Sequence, residues 1–102
     1  MSRKNPPLPP VDPGEILRED LMKPIGLSIN ALARDLRVPV TRVSEIVNGR
    51  RSITADTALR LARYFGNTPQ FWLNLQAAHD LEVATRRSVS RIERDVHPRE
   101  AA

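Results

Sequence analysis

Apolar residues return along this chain with the period of an α-helix, in five successive runs. Ile16, Leu17 and Leu21 make the first. Ile29, Leu32, Ala33 and Leu36 make the second, at i, i+3, i+4 and i+7, the spacing of one buried helical stripe. Val43, Ile46 and Val47 repeat the pattern. Leu59, Ala62 and Phe65, with Ala58 and Leu61 beside them, are expected to be the buried face of a fourth helix. Phe71, Trp72, Leu75, Ala78 and Leu81 give the apolar side of a fifth. No run alternates with the two-residue period of a strand, and nothing repeats internally. An all-α fold follows.

The punctuation between runs agrees. Asp12 is a natural N-cap, Pro13 suits a first helical position, and Glu15 completes an arrangement like a capping box. Pro24 and Gly26 end that helix. Ser28 caps the next. Pro39 opens the third, which Gly49 terminates. Thr54 or Ser52 caps a helix over 55–65, stopped by Gly66, and Thr68-Pro69 starts another. From Glu82 the pattern thins to Val83, Val89, Ile92 and Val96 among charges, until His97-Pro98 ends any helix. Three parts are expected: a proline-rich N-terminal arm over 1–11, a helical domain over 12–82, and a C-terminal tail over 83–102, partly helical. The arm has four prolines in five positions, which favours an extended polyproline conformation.

Only Arg37-Val38 separates the second stripe from Pro39. A turn this short forces the two helices to cross steeply, as in a helix-turn-helix, whose second helix enters the DNA major groove. The outward face of that second helix carries Thr41, Arg42, Ser44, Glu45 and Asn48, with Arg50 and Arg51 just beyond its end. These side chains suit bases and phosphates.

The chain has 102 residues, enough for one domain with a modest core, and a net charge of +4. The positive charge concentrates between 28 and 51, where Arg34, Arg37, Arg42, Arg50 and Arg51 face only Asp35 and Glu45. A polyanion partner is therefore expected. There is no cysteine, and His79 and His97 lie in no cluster with ligand spacing, so neither a metal nor another cofactor is expected. No nucleophile–base arrangement or glycine-rich phosphate loop points to an enzyme. No stretch is long and apolar enough for a membrane span or a signal core, so a cytoplasmic location is expected.

With this five-helix order in place, the chain resembles the HigA/VapI type of antitoxin within the Xre/Cro family of helix-turn-helix regulators. The residues that carry the likeness are PGEILRE at 13–19, ALARDL at 31–36, RVSEIVNGRRSITADTALRLARYFG at 42–66 and FWLNLQAAHDLE at 71–82. The resemblance implies a five-helix Xre/Cro-like (lambda repressor-like) DNA-binding domain with a helical C-terminal extension. It further implies a homodimer that binds a palindromic operator in double-stranded DNA, represses its own operon and neutralises a HigB/RelE-type ribonuclease toxin. Two alternatives stay open: a stand-alone regulator of the same family without a toxin, and a protein-interaction module that no longer binds DNA. Many family members have Gly in the turn where this chain has Arg37. Many also place a phosphate-binding Gln near the start of the second helix, where this chain has Ile29, leaving Ser28 or Asn30 to serve.

The candidate DNA-binding residues are thus Ser28, Asn30, Val40, Thr41, Arg42, Ser44, Glu45, Asn48, Arg50 and Arg51. Val40 and the Thr41 methyl suit a thymine methyl, Glu45 a cytosine amine, and Arg42 a guanine or a phosphate. The competing assignments are an ion pair of Glu45 with Arg42 or another nearby arginine and an ordinary C-cap for Asn48. The amides opening the second helix offer a phosphate site. Phe71, Trp72, Leu75, Ala78, Leu81, Val89 and Ile92 are expected at a dimer interface, because they exceed what one small core needs. Glu15, Glu19 and Asp20 make the first helix acidic outside, a face that a basic toxin could meet.

Overall fold

The computed structural model describes residues 10–100, and every regular element among them is helical. Residues 1–9, which hold most of the predicted arm, and 101–102 lie outside the described residues. Helix α1 begins as Pro13–Ile16, continues through Leu17–Met22 with π geometry and closes in a 3₁₀ turn at Lys23–Ile25. Then come α2 (Ile29–Leu36), α3 (Val40–Val47), α4 (Ala55–Phe65) and α5 (Pro69–Asp95).

The cap residues act as their chemistry requires. Asp12 Oδ1 accepts the Gly14 N–H at 2.8 Å, and Ser28 Oγ accepts the Ala31 N–H at 3.0 Å. Of the two candidates before α4, Thr54 makes the cap, accepting the Thr57 N–H. Thr68 Oγ1 accepts the Phe71 N–H at 3.1 Å, with Pro69 as the first residue of α5. Pro39 stands one place earlier than expected: it is the extended N-cap of α3, and the helix starts at Val40. The capping box at Asp12 is not realised, since the Asp12 carboxylate receives the Gly14 amide, while the Glu15 amide donates to the Asp12 carbonyl.

Leu17, Met22, Leu32, Ala33, Leu36, Val43, Ile46, Val47, Ile53, Ala58, Leu61, Ala62 and Trp72 form one core. The π turn explains why Leu17 and Met22, five residues apart, both point inward. Leu59 is a correction. It is 60% exposed, whereas Thr57, Ala58, Leu61 and Ala62 are buried. At 3.6 residues per turn, Leu59 lies roughly 130° from the centre of that buried face. It instead lines an open groove of about 390 Å³ with Asp35, Leu36, Asp56, Arg60, Arg63 and Tyr64. Phe65 is only partly buried against the core.

Contacts at two places tie α1 to α3 and α4 to α2. A Cβ on Gly14 would overlap the Ile46 carbonyl, so α1 crosses α3 at backbone contact distance. Behind α2, Arg60 Nη1 donates to the Leu36 carbonyl at 2.9 Å and Tyr64 OH donates to Asp35 Oδ2 at 2.8 Å. The Asp35 carboxylate holds the Tyr64 phenol above its ordinary pKa of 10.0.

Candidate nucleic-acid interface

α2 and α3 meet at a three-residue turn whose first residue, Arg37, is left-handed, with φ 62° and ψ 45°. It is the one non-glycine residue with positive φ among the described residues. The amides of Arg37 and Val38 turn back onto the carbonyls of Arg34 and Ala33, closing the end of α2. α3 then buries Val43, Ile46 and Val47 and turns its other side outward.

That outward side carries Val40 and Thr41, both exposed, with Ser44 and Glu45 half-buried beside them. Glu45 is ion-paired with Arg51, whose Nη2 lies 2.7 Å from Glu45 Oε1. This is the arginine pair weighed from the sequence, with Arg51 as its partner. The Asn48 side-chain amide donates to the Ser44 carbonyl at 2.8 Å, the ordinary C-cap role. Arg50, exposed, follows Gly49, whose φ of 73° turns the chain out of the helix. Asn30 is exposed on the first turn of α2, next to the Ser28 cap. Arg42 is on the flank of α3, between the buried stripe and the outward face. Its Nη1 is 3.1 Å from Asp56 Oδ2 on α4, and its side chain is 30% exposed. The sequence pattern named Arg42 but not Asp56, because a carboxylate fourteen residues away has no local spacing signature.

The residues expected at a dimer interface divide. Trp72 is fully buried in the core of its own chain, and its Nε1–H donates to Asn67 Oδ1 at 2.9 Å. It therefore has no surface to offer a partner, which corrects the expectation for that residue. Phe71 is 40% exposed and packs edge-on against Trp72 at 5.0 Å between ring centroids. Leu75 is half-buried, and Ala78, Leu81, Val89 and Ile92 are exposed along α5. α5 runs unbroken across 82–83, so the tail begins as a continuation of the domain's own helix. Sequence reasoning also missed Ile53, buried in the loop before α4, whose amide donates to Gln76 Oε1 of α5 at 2.8 Å. Among the described residues, no group of three or more His, Cys, Asp or Glu could hold a metal ion, and no helix is long and apolar enough to cross a membrane.

With this geometry in view, comparison with known proteins becomes specific. The helix-turn-helix family profile matches residues 19–72, from within α1 to the start of α5. Virulence-associated protein I of Dichelobacter nodosus is 58% identical over 77 residues, which cover 76% of this chain and 71% of that protein. The chain belongs to the Xre-type helix-turn-helix family, in its HigA/VapI group. Among solved structures, an addiction module antidote protein of the HigA family from Coxiella burnetii shares 53% identity, with a TM-score of 0.84, covering 90% of this chain and all of that one. The antitoxin HigA of Pseudomonas aeruginosa, solved with the higBA promoter, shares 43% identity at the same TM-score of 0.84, covering 87% of this chain and 97% of that one. The fold expected from the sequence, an all-helical Xre/Cro-like domain, is the fold found.

Proposed function

We propose that this HigA/VapI-group chain is the antitoxin of a HigBA-like type II module: a cytoplasmic, non-enzymatic repressor that binds a palindromic operator and neutralises a HigB/RelE-type ribonuclease toxin. One observation carries the reading. α3 turns Val40, Thr41 and Glu45 outward with Arg42, Arg50 and Arg51 around them, in a fold shared with an antitoxin seen on its promoter. The α3 side chains, Arg42 among them, meet base edges, Arg50 and Arg51 meet phosphates, and the amides opening α2 at Ser28 and Asn30 receive another phosphate. Two copies pair through Phe71, Leu75, Ala78, Leu81, Val89 and Ile92. That pairing sets their recognition helices roughly 34 Å apart, one turn of DNA.

The test is selection of duplexes from a random-sequence pool by the full chain. A two-fold symmetric sequence is expected, bound less tightly as salt rises because arginine contacts release counterions. The combined variant Arg42→Ala, Arg50→Ala and Arg51→Ala is expected to lose that binding, and unchanged affinity would remove this surface from the reading. For the toxin, the protein encoded by the neighbouring reading frame is co-expressed with this chain. Growth arrest by that protein alone, relieved by co-expression, is the expected result; relief without the antitoxin chain, or none with it, contradicts the reading.

A further inference from the structure

Resting on the DNA-binding reading above, we propose that Asp56, a residue of α4 outside the recognition helix, is a positioning residue that sets how selectively the chain reads DNA. It does so by holding the Arg42 guanidinium at the edge of the α3 face. Asp56 Oδ2 lies 3.1 Å from Arg42 Nη1 and 2.9 Å from Arg60 Nε. Arg60 is itself anchored, since its Nη1 donates to the Leu36 carbonyl at the end of α2. The carboxylate is thus held from behind by a fixed cation and presents its charge to Arg42. Arg60 first, and Arg42 after it, hold the Asp56 carboxyl below its ordinary value of 3.8, so it is charged at neutral pH.

Two consequences follow for DNA. Sequence-independent affinity depends on how many cations neutralise phosphate, and Asp56 offsets one of the two positive charges that Arg42 and Arg60 bring to this spot. Random DNA has to draw Arg42 away before gaining from it. Meanwhile Asp56 engages one terminal nitrogen of a planar fork that carries five N–H donors. The remaining donors stay aimed from a side chain whose rotameric freedom is already spent. A base acceptor placed beside that fork gains contact without displacing Asp56. Asp56 therefore weakens binding to random sequence more than binding to the right one.

The experiment measures affinity for two duplexes: the one enriched by the wild-type chain from a random pool, and a shuffled sequence of the same composition. Asp56→Asn is expected to bind the shuffled duplex about eightfold more tightly at 0.1 M salt, the gain from one added phosphate contact, with a salt slope steeper by about 0.9. Affinity for the selected duplex is expected to stay level or fall, so the ratio of the two drops at least about eightfold. Asp56→Glu is expected to restore most of the ratio. Asp56→Ser, which keeps an oxygen at the start of α4, should reproduce the loss. A smaller folded fraction weakens both duplexes equally and cancels in the ratio. An unchanged ratio in Asp56→Asn and Asp56→Ser overturns the inference while leaving the DNA-binding reading intact. So does an equal drop on adding Asp56→Asn to Arg42→Ala, because Asp56 would then act without Arg42. A wild-type chain that enriches no sequence removes both.

Discussion

At the scale of single residues, the turn between α2 and α3 carries a cost. Arg37 occupies a left-handed conformation where a Cβ crowds the following carbonyl, and glycine escapes that crowding. Arg37→Gly is expected to stabilise the chain by about 1 kcal/mol, after allowing for the extra freedom of glycine in the unfolded state. Urea denaturation measures this, and a less stable variant would mean that Arg37 makes an interaction worth more than the strain. Gly14 shows the opposite sensitivity. Its missing side chain is the space that the Ile46 carbonyl occupies. Gly14→Ala is expected to cost at least about 1–3 kcal/mol by overpacking, and equal stability would contradict the close crossing of α1 and α3.

At the scale of elements, the order of helices was legible because each boundary has its own local chemistry: Asp12-Pro13, Ser28, Thr54 and Thr68-Pro69 at the starts, Gly26, Gly49 and Gly66 at or just past the ends. The inward faces of α2 and α3 were legible for the same reason, since Leu32, Leu36, Val43 and Ile46 keep a clean helical period. The misassignment of Leu59 arose where apolar residues surround α4 on more than one side, so periodicity alone picked a stripe displaced from the true one. Ion pairs were the least legible feature. Arg42 with Asp56 depends on how two separate helices dock, which no spacing rule records. The π turn in α1 was also hidden, because its signature is packing rather than composition. For α5, the expectation concerns its far half. Val89 and Ile92 are exposed on a helix that has left the core behind. Truncation after Leu81 is expected to leave the 12–82 fold intact by circular dichroism while shifting sedimentation from dimer toward monomer at micromolar concentration. A truncated chain that still sediments as a full dimer would place pairing on Phe71, Leu75, Ala78 and Leu81 or on the N-terminal arm.

At the scale of the whole molecule, surface carboxylates pair with arginine and lysine, Glu19 within α1 and Asp56 within α4 and across to α3. Lys23 first, with Arg18, holds Glu19 below its ordinary 4.5, and Arg60 with Arg42 holds Asp56 below its ordinary 3.8. A depressed folded-state pKa contributes stability above the unfolded value and loses it as pH falls through the folded value. Stability is therefore expected to hold from neutral pH down to about pH 5 and to decline below it. The decline should be modest, and smaller in high salt, because these pairs face solvent. Denaturation midpoints across that range check it, and a decline that begins near neutral pH would contradict it. A different kind of consequence follows from the bare backbone crossing at Gly14. With no side chain between their backbones at that point, α1 cannot approach α3 any further without a clash. A ligand on the outer surface of α1 would therefore stand one backbone contact away from α3, the helix proposed to meet DNA.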